Sequence, residues 1–178
     1  AKIQDRIAEG VLLTLIEEGP KVLKDPTNYD ACANFMWSAT MALNGIISRG
    51  AVEDWSTHII GHELTALYGI DHGRTLAIVL PGNMNIRRKV KEEKILQYGS
   101  RVWNINEGTV DERIDKTIQK TIEFFESLGV PTTFSAYNIG NDVCDIVAQR
   151  LANRGLTKFG EKGDITPTIV SAILKDRL

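Results

Sequence analysis

Cysteine and histidine are both scarce in this chain of 178 residues, at two and three copies. Cys32 and Cys144 lie far apart and in no paired spacing, so neither a disulfide framework nor a cysteine metal cluster is available; two free thiols fit a reducing, cytoplasmic setting. No run of eighteen apolar residues occurs, which argues against a membrane-spanning helix, and no charged-then-apolar leader opens the chain. A formal charge of -2 offers no basic surface for nucleic acid. Neither Gly-x-Gly-x-x-Gly nor a phosphate loop ending in Gly-Lys-Ser/Thr is present, so no nucleotide cradle is visible. Internal repeats and low-complexity runs are absent, and no segment alternates apolar and polar residues long enough for a central strand.

What remains is helical, and 43% apolar content is enough for one buried core. Ile3, Ile7, Val11, Leu12 and Leu15 follow helical spacing, and Gly19-Pro20 is expected to interrupt that run. The chain starts in helical pattern with no capping residue before it, so the parent protein is expected to extend further toward its N-terminus. Thr27-Asn-Tyr-Asp30 resembles a capping box and opens a helix from Ala31 to about Ile47, with Phe35, Met36, Ala39, Leu43 and Ile46-Ile47 turned inward. A helix over about Asp54 to Tyr68 follows. Thr75 to Leu80 carries no charge and predicts a buried helix ended by Pro81-Gly82. Asn85 to Trp103 reads as one amphipathic helix, with Lys89, Lys91 and Lys94 on a solvated face. Thr109-Val-Asp-Glu112 is a capping box for a long helix ending at Gly129. A helix over Asp142 to about Asn153 comes next, and Asp164 is expected to cap the last one, with Pro167 in its first turn. The expectation is an all-helical domain of about eight helices. Trp37, Trp55 and Trp103 are read as core or interdomain packing, and Phe159-Gly160 as packing at the core edge.

All three histidines fall between Trp55 and Pro81. His58 and His62 are four apart and stack one turn apart on one helix face. Gly69 ends that helix and His72 begins the next, a corner that can bring the third imidazole back toward the first two. Neutral imidazole is both a common metal ligand and the usual acid/base group near neutral pH. Two or three imidazoles leave the usual coordination unfinished, so either a carboxylate of this chain joins them or ligands come from elsewhere. Asp71 suits a helix cap better than a ligand, and Glu63 projects about 100° around the helix from His62. Gly61, Gly69 and Gly73 fit either close approach of a ligand to the backbone or tight helix packing. The His-Glu-x-x-His helix of zinc proteases and the zinc deaminase signature are both absent. A metal-dependent phosphohydrolase would want His-Asp where Asp71-His72 stands. A helical interaction module with structural histidines remains an alternative.

This window resembles the iron-containing (group III) alcohol dehydrogenase family. The residues that carry the likeness are His58-x-x-x-His62, Gly69-Ile-Asp-His72-Gly73 and Leu76-Ala-Ile-Val-Leu-Pro81. Asp54-Trp55-Ser-Thr-His58 and Gly61-His62-Glu-Leu-Thr-Ala66 are similar to the branch of butanol dehydrogenases and NADPH-dependent aldehyde reductases. Ala1-Lys-Ile-Gln-Asp-Arg6, Met36-Trp37-Ser-Ala-Thr40 and Glu107-Gly-Thr-Val-Asp-Glu-Arg113 extend the likeness along the chain. The resemblance implies the C-terminal helical-bundle domain of the dehydroquinate synthase-like fold over residues 1–178, without the Rossmann-like nucleotide-binding domain that precedes it in the family. It implies His58 and His72 as metal ligands to Fe(II) or Zn(II), and His62 as the histidine beside nicotinamide and substrate that carries a proton. It also implies NADP(H) held mainly by the other domain, a small alcohol or aldehyde as substrate, and a homodimer. The family's remaining two ligands, an Asp and a His, are expected upstream of Ala1, leaving half a metal site here. A glycerol dehydrogenase or dehydroquinate synthase relative is the neighbouring alternative.

Overall fold

The computed structural model describes residues 1–178 and is all-helical: α1 (Lys2–Lys24), α2 (Tyr29–Leu43), α3 (Ser56–Tyr68), α4 (His72–Ile86), α5 (Glu92–Val102), α6 (Val110–Ser127), α7 (Val143–Asn153) and α8 (Pro167–Lys175). A 3₁₀ turn, Phe134–Tyr137, joins α6 to α7, and a single bridge pairs Phe159 with Ile165. Neighbours in sequence pack as pairs: α1 on α2, α3 on α4, α5 on α6 and α7 on α8. Gln4 near the start of α1 donates to the Arg49 carbonyl beyond the end of α2 at 2.6 Å, so that pair runs antiparallel.

Helix α4 is the shared centre. Its Ile78 and Val79 enter a sixteen-residue core with Ile60 and Leu64 of α3, Val143, Val147 and Leu151 of α7, and Val170, Ile173 and Leu174 of α8. Its last turn places Met84 in a second, smaller cluster with Ile95 of α5 and Ile114 and Ile118 of α6. Gly82 faces the Ile173 carbonyl and the Arg177 side chain, and a Cβ there would collide with the α8 backbone. The absent side chain is therefore what sets the α4–α8 distance.

Several expectations need correction. α4 does not stop at Pro81 but runs on to Ile86. Proline removes one helical hydrogen bond, yet buried residues on both sides of it, Val79 and Met84, anchor α4 in both clusters. α1 likewise continues through Pro20 to Lys24, with buried Gly19 packed against Phe35 and Leu128. The stretch from Asn85 to Trp103 is not one helix: turns fill the residues between Ile86 and Glu92. Lys91 lies in that break and is not solvated; its ammonium bonds Asp54 and Glu161. The α2 cap is Asn28, whose side chain accepts from the Ala31 amide, not Thr27. Thr166 caps α8, while Asp164 pairs with Arg87. Met36, Leu43 and Ile46 point outward, as do Ile3 and Leu12. Of the tryptophans, Trp103 packs between Tyr98 and Phe124, whereas Trp37 and Trp55 are exposed and so take no part in this chain's own core, the interdomain half of the expectation being untouched. The capping box at Thr109 is present in both directions, and Gly129 follows α6 with φ +73°.

Candidate metal centre

Helix α3 begins where Asp54 accepts the Ser56 amide at 2.8 Å and ends at Gly69, whose left-handed backbone (φ 68°) reverses the chain. Three residues later α4 starts at His72. Asp71 stands at the N-cap position but makes no capping hydrogen bond; its carboxylate is exposed and lies 3.7 Å from Arg74.

The α3–α4 corner brings the three imidazoles together. His58 Nδ1 and His72 Nε2 face each other at 3.0 Å. The His62 ring lies parallel on His72, centroids 4.1 Å apart and planes 4° from coincident. Trp55 meets His58 edge-on at 5.0 Å. Close approach of the two helices depends on Gly61, because a Cβ there would lie 2.8 Å from the Thr75 hydroxyl and 3.2 Å from the Leu76 side chain. Tight packing thus accounts for Gly61, while Gly73 faces open space.

Burial pushes both His58 and His72 below the usual histidine value, and repulsion from His62 adds to the effect in each, with His58 contributing at His72. The pair is therefore held neutral near pH 7, the state in which an imidazole nitrogen binds metal. Two nitrogens sharing a tetrahedral zinc at about 2.0–2.1 Å each stand roughly 3.3 Å apart. A 3.0 Å pair is within a few tenths of an ångström of that spacing, so the donors present fit two positions of a metal shell. No group of three or more His, Cys, Asp or Glu is placed to hold a metal ion. Asp71 faces solvent and Glu63 is turned away, so this chain offers no third ligand to the pair.

Other groups hold the corner in place. Glu63, 1% exposed, accepts from Arg150 Nε at 2.7 Å and also from Arg154, tying the back of α3 to α7. Asn83 of α4 donates to the hydroxyls of Ser56 and Thr57 at 2.9 and 3.0 Å, holding the first turn of α3. Asp54 meets Lys91 at 2.5 Å; burial opposes its ionisation, but hydrogen bonds from Lys91 and Ser56 outweigh that and keep its carboxyl below the ordinary value. None of these pairs was visible as a sequence motif. The one available hint was Glu63, a charge inside the otherwise apolar sequence that follows His62.

The model of the Fe-containing alcohol dehydrogenase family, C-terminal part, matches residues 1–178. The chain belongs to the iron-containing alcohol dehydrogenase family. Among family relatives, it is 57% identical over 166 residues to the NADPH-dependent aldehyde reductase YqhD of Escherichia coli (strain K12), covering 93% of this chain and 43% of that one. It is 36% identical over 178 residues to the NADH-dependent butanol dehydrogenase A of Clostridium acetobutylicum, covering 98% and 45%. The substrate- and cofactor-free structure of the E. coli aldehyde reductase superimposes with a TM-score of 0.98 at 53% identity, over 100% of this chain and 47% of that chain. The butanol dehydrogenase A of Thermotoga maritima gives 0.91 at 28% identity, over 99% and 46%. The chain therefore spans a little under half the length of the family members it matches.

Proposed function

We propose that this chain is the helical, metal-binding C-terminal domain of an NADP(H)-linked alcohol dehydrogenase or aldehyde reductase, cytoplasmic and homodimeric when complete. The observation that carries the reading is the 3.0 Å approach of His58 and His72 across the α3–α4 corner, with His62 stacked beside them. In this reading His58 and His72 hold Fe(II) or Zn(II), and a preceding domain supplies the remaining ligands together with the nucleotide site. The metal, when bound, polarises the oxygen of an aldehyde or alcohol as a Lewis acid, and hydride passes to or from the nicotinamide.

The protein's own part is positional. Gly61 sets the helix separation that lets the two ligand rings meet. His62 is exposed and one turn from His58, so its ring can face substrate while His58 faces metal. A stacked imidazole there can give a proton to the alkoxide formed on reduction, or take one from the alcohol in the reverse direction. NADP(H) in place of NAD(H) follows the higher identity to the NADPH-dependent relative.

The test uses the full-length protein loaded with iron or zinc. His58→Ala and His72→Ala should each lose bound metal and NADPH-dependent aldehyde reduction together. His62→Ala should keep metal and lose about 10²–10⁴-fold in kcat, the usual worth of a positioned acid/base. Unchanged function in the His62 variant would favour the interaction-module reading. The 178-residue chain by itself should bind metal only weakly; tight one-to-one binding would contradict a half-site. Light scattering reports the oligomeric state.

A further inference from the structure

Two of the side chains that α4 buries are polar, Thr75 and Asn83. Asn83 serves the first turn of α3. Thr75 stands at the other end of α4, beside the corner, and is fully buried. A hydroxyl in such a place is expected to find partners. Thr75 Oγ1 lies 2.7 Å from the His72 carbonyl oxygen, the ordinary return of a helical threonine to the preceding turn. The same oxygen lies 3.5 Å from His72 Nδ1, the ring nitrogen that does not meet His58.

One proton decides how these atoms are arranged. The His72 carbonyl can only accept, so at 2.7 Å the threonine proton lies between the two oxygens. The hydroxyl then has only lone pairs to offer Nδ1. An unprotonated Nδ1 would set lone pair against lone pair, so a neutral His72 ring carries its proton on Nδ1. Nε2 keeps its own lone pair, and Nε2 is the atom 3.0 Å from His58 Nδ1. The Nδ1 contact is long for a hydrogen bond, but Thr75 is the one hydrogen-bonding neighbour that nitrogen has. The ring has little room to turn away. His62 stacks on it at 4.1 Å, and a Cβ on Gly61 would lie 3.6 Å from its Cε1. That same Cβ would press on the Thr75 hydroxyl at 2.8 Å, so the bare Gly61 leaves the hydroxyl its place.

We infer that Thr75 is a positioning residue for His72, accepting the Nδ1 proton so that the Nε2 lone pair is presented to a metal ion shared with His58. The inference rests on the proposed metal centre for what Nε2 binds; the choice of tautomer rests on the hydrogen bonds alone. A partner on the second ring nitrogen is the usual means of fixing the tautomer and direction of a ligand imidazole. Carboxylates, backbone carbonyls and water commonly fill that role. Here a hydroxyl already committed to a carbonyl fills it.

The full-length protein, labelled with nitrogen-15 in histidine and freed of metal, reports the tautomers directly by proton–nitrogen correlation. His72 should carry its proton on Nδ1. A proton on Nε2 in the parental protein overturns the inference without any substitution. Zn(II) affinity is measured by competition with a chromophoric chelator. Thr75→Val keeps the shape of the side chain and removes the hydroxyl; it should weaken Zn(II) binding by about 10–100-fold and release His72 to the Nε2–H form. Thr75→Ser restores the hydroxyl and should return both readings to the parental ones. Parental affinity in a folded Thr75→Val protein, checked by thermal unfolding, overturns the inference, as does a loss that serine fails to restore. Should the valine variant not fold, the parental tautomer and the serine variant decide. His72→Ala separates this inference from the reading beneath it. Zinc lost in His72→Ala but kept in Thr75→Val refutes the positioning role alone. Zinc kept at parental affinity in His72→Ala refutes the metal centre, while the tautomer still tests whether Thr75 directs the ring.

Discussion

Helices α2 and α3 are close in length and nearly equal in charge, at one acidic residue each, yet they sit in opposite surroundings. α3 buries Ser56, Ile60, Gly61, Glu63 and Leu64 between α4 and α7, and its single carboxylate is neutralised there by two arginines. α2 buries two residues, and its single carboxylate lies exposed in the first turn. Low charge on a helix indicates cover on more than one side; the partner it requires need not lie in the same stretch of chain. α3 finds its cover within these residues and α2 does not.

Deleting side chains from the two helices should separate them most sharply. Leu64→Ala removes a fully buried side chain from the main core. It should cost about 3 kcal/mol, or roughly 6–12 °C in Tm for a domain of this size, read by thermal unfolding followed by circular dichroism. A loss below about 1 kcal/mol would mean the α3 side of the core repacks freely, and the contrast with α2 would weaken.

Glu63→Ala should come second. Breaking a buried ion pair costs about 3–5 kcal/mol when the abandoned charges stay buried, but Arg150 and Arg154 are 42% and 63% exposed and recover water. A loss of about 2 kcal/mol is expected in urea unfolding. Glu9 offers the matched control on α1, where it ties to Gln97 and Arg101 of α5 and to Arg6. It lies nearer the surface, so Glu9→Ala should cost about 1 kcal/mol. Equal losses would erase the distinction between the two regions.

Gly61→Ala probes the corner itself. The added methyl lies 2.8 Å from the Thr75 hydroxyl, so α3 and α4 must move apart. Overpacking costs about 1–3 kcal/mol, offset by about 1 kcal/mol of helix propensity. The net loss should be about 1 kcal/mol, and on the proposed reading the full-length protein should also lose metal as His72 moves away from His58. Metal retained at the parental level would show that the corner tolerates the wider spacing.

How much of this was legible beforehand depends on the kind of interaction. The three histidines stood out because they are the only ones in the chain and their spacing matches a helix, a corner and a second helix. The Thr109 capping box was legible because both partners lie within four residues. Pro81 and Pro20 misled because local chain chemistry predicts a break where long-range packing keeps the helix intact. Met36 and Leu43 misled because periodicity identifies an apolar face without saying which of two faces this chain covers. Lys91 looked like one of several surface lysines, and only the fold brings Asp54 and Glu161 to it.

Acid should act on the ties around the corner before it reaches the apolar core. Asp54 and Asp164 are both held below the usual aspartate value of 3.8, Asp54 by Lys91 and Ser56 against the cost of burial and Asp164 by the Arg87 guanidinium. A folded-state value below the unfolded one adds stability that is complete above about pH 4 and is lost as pH falls through the folded value. Stability should therefore be flat from pH 7 to about 5 for these two groups and decline below 4. Asp54→Asn should lower the plateau and flatten the decline. An unchanged slope would show that Lys91 does not stabilise the ionised carboxylate.

Leu43→Ala should have the smallest effect. At 74% exposure the side chain has little contact to lose in the 178-residue chain, so the change should stay within about 0.5 kcal/mol. The two leucines on helices of equal charge would then differ by about 2–3 kcal/mol for the same chemical change. Comparable drops in Tm for the two substitutions would sink the contrast between α2 and α3.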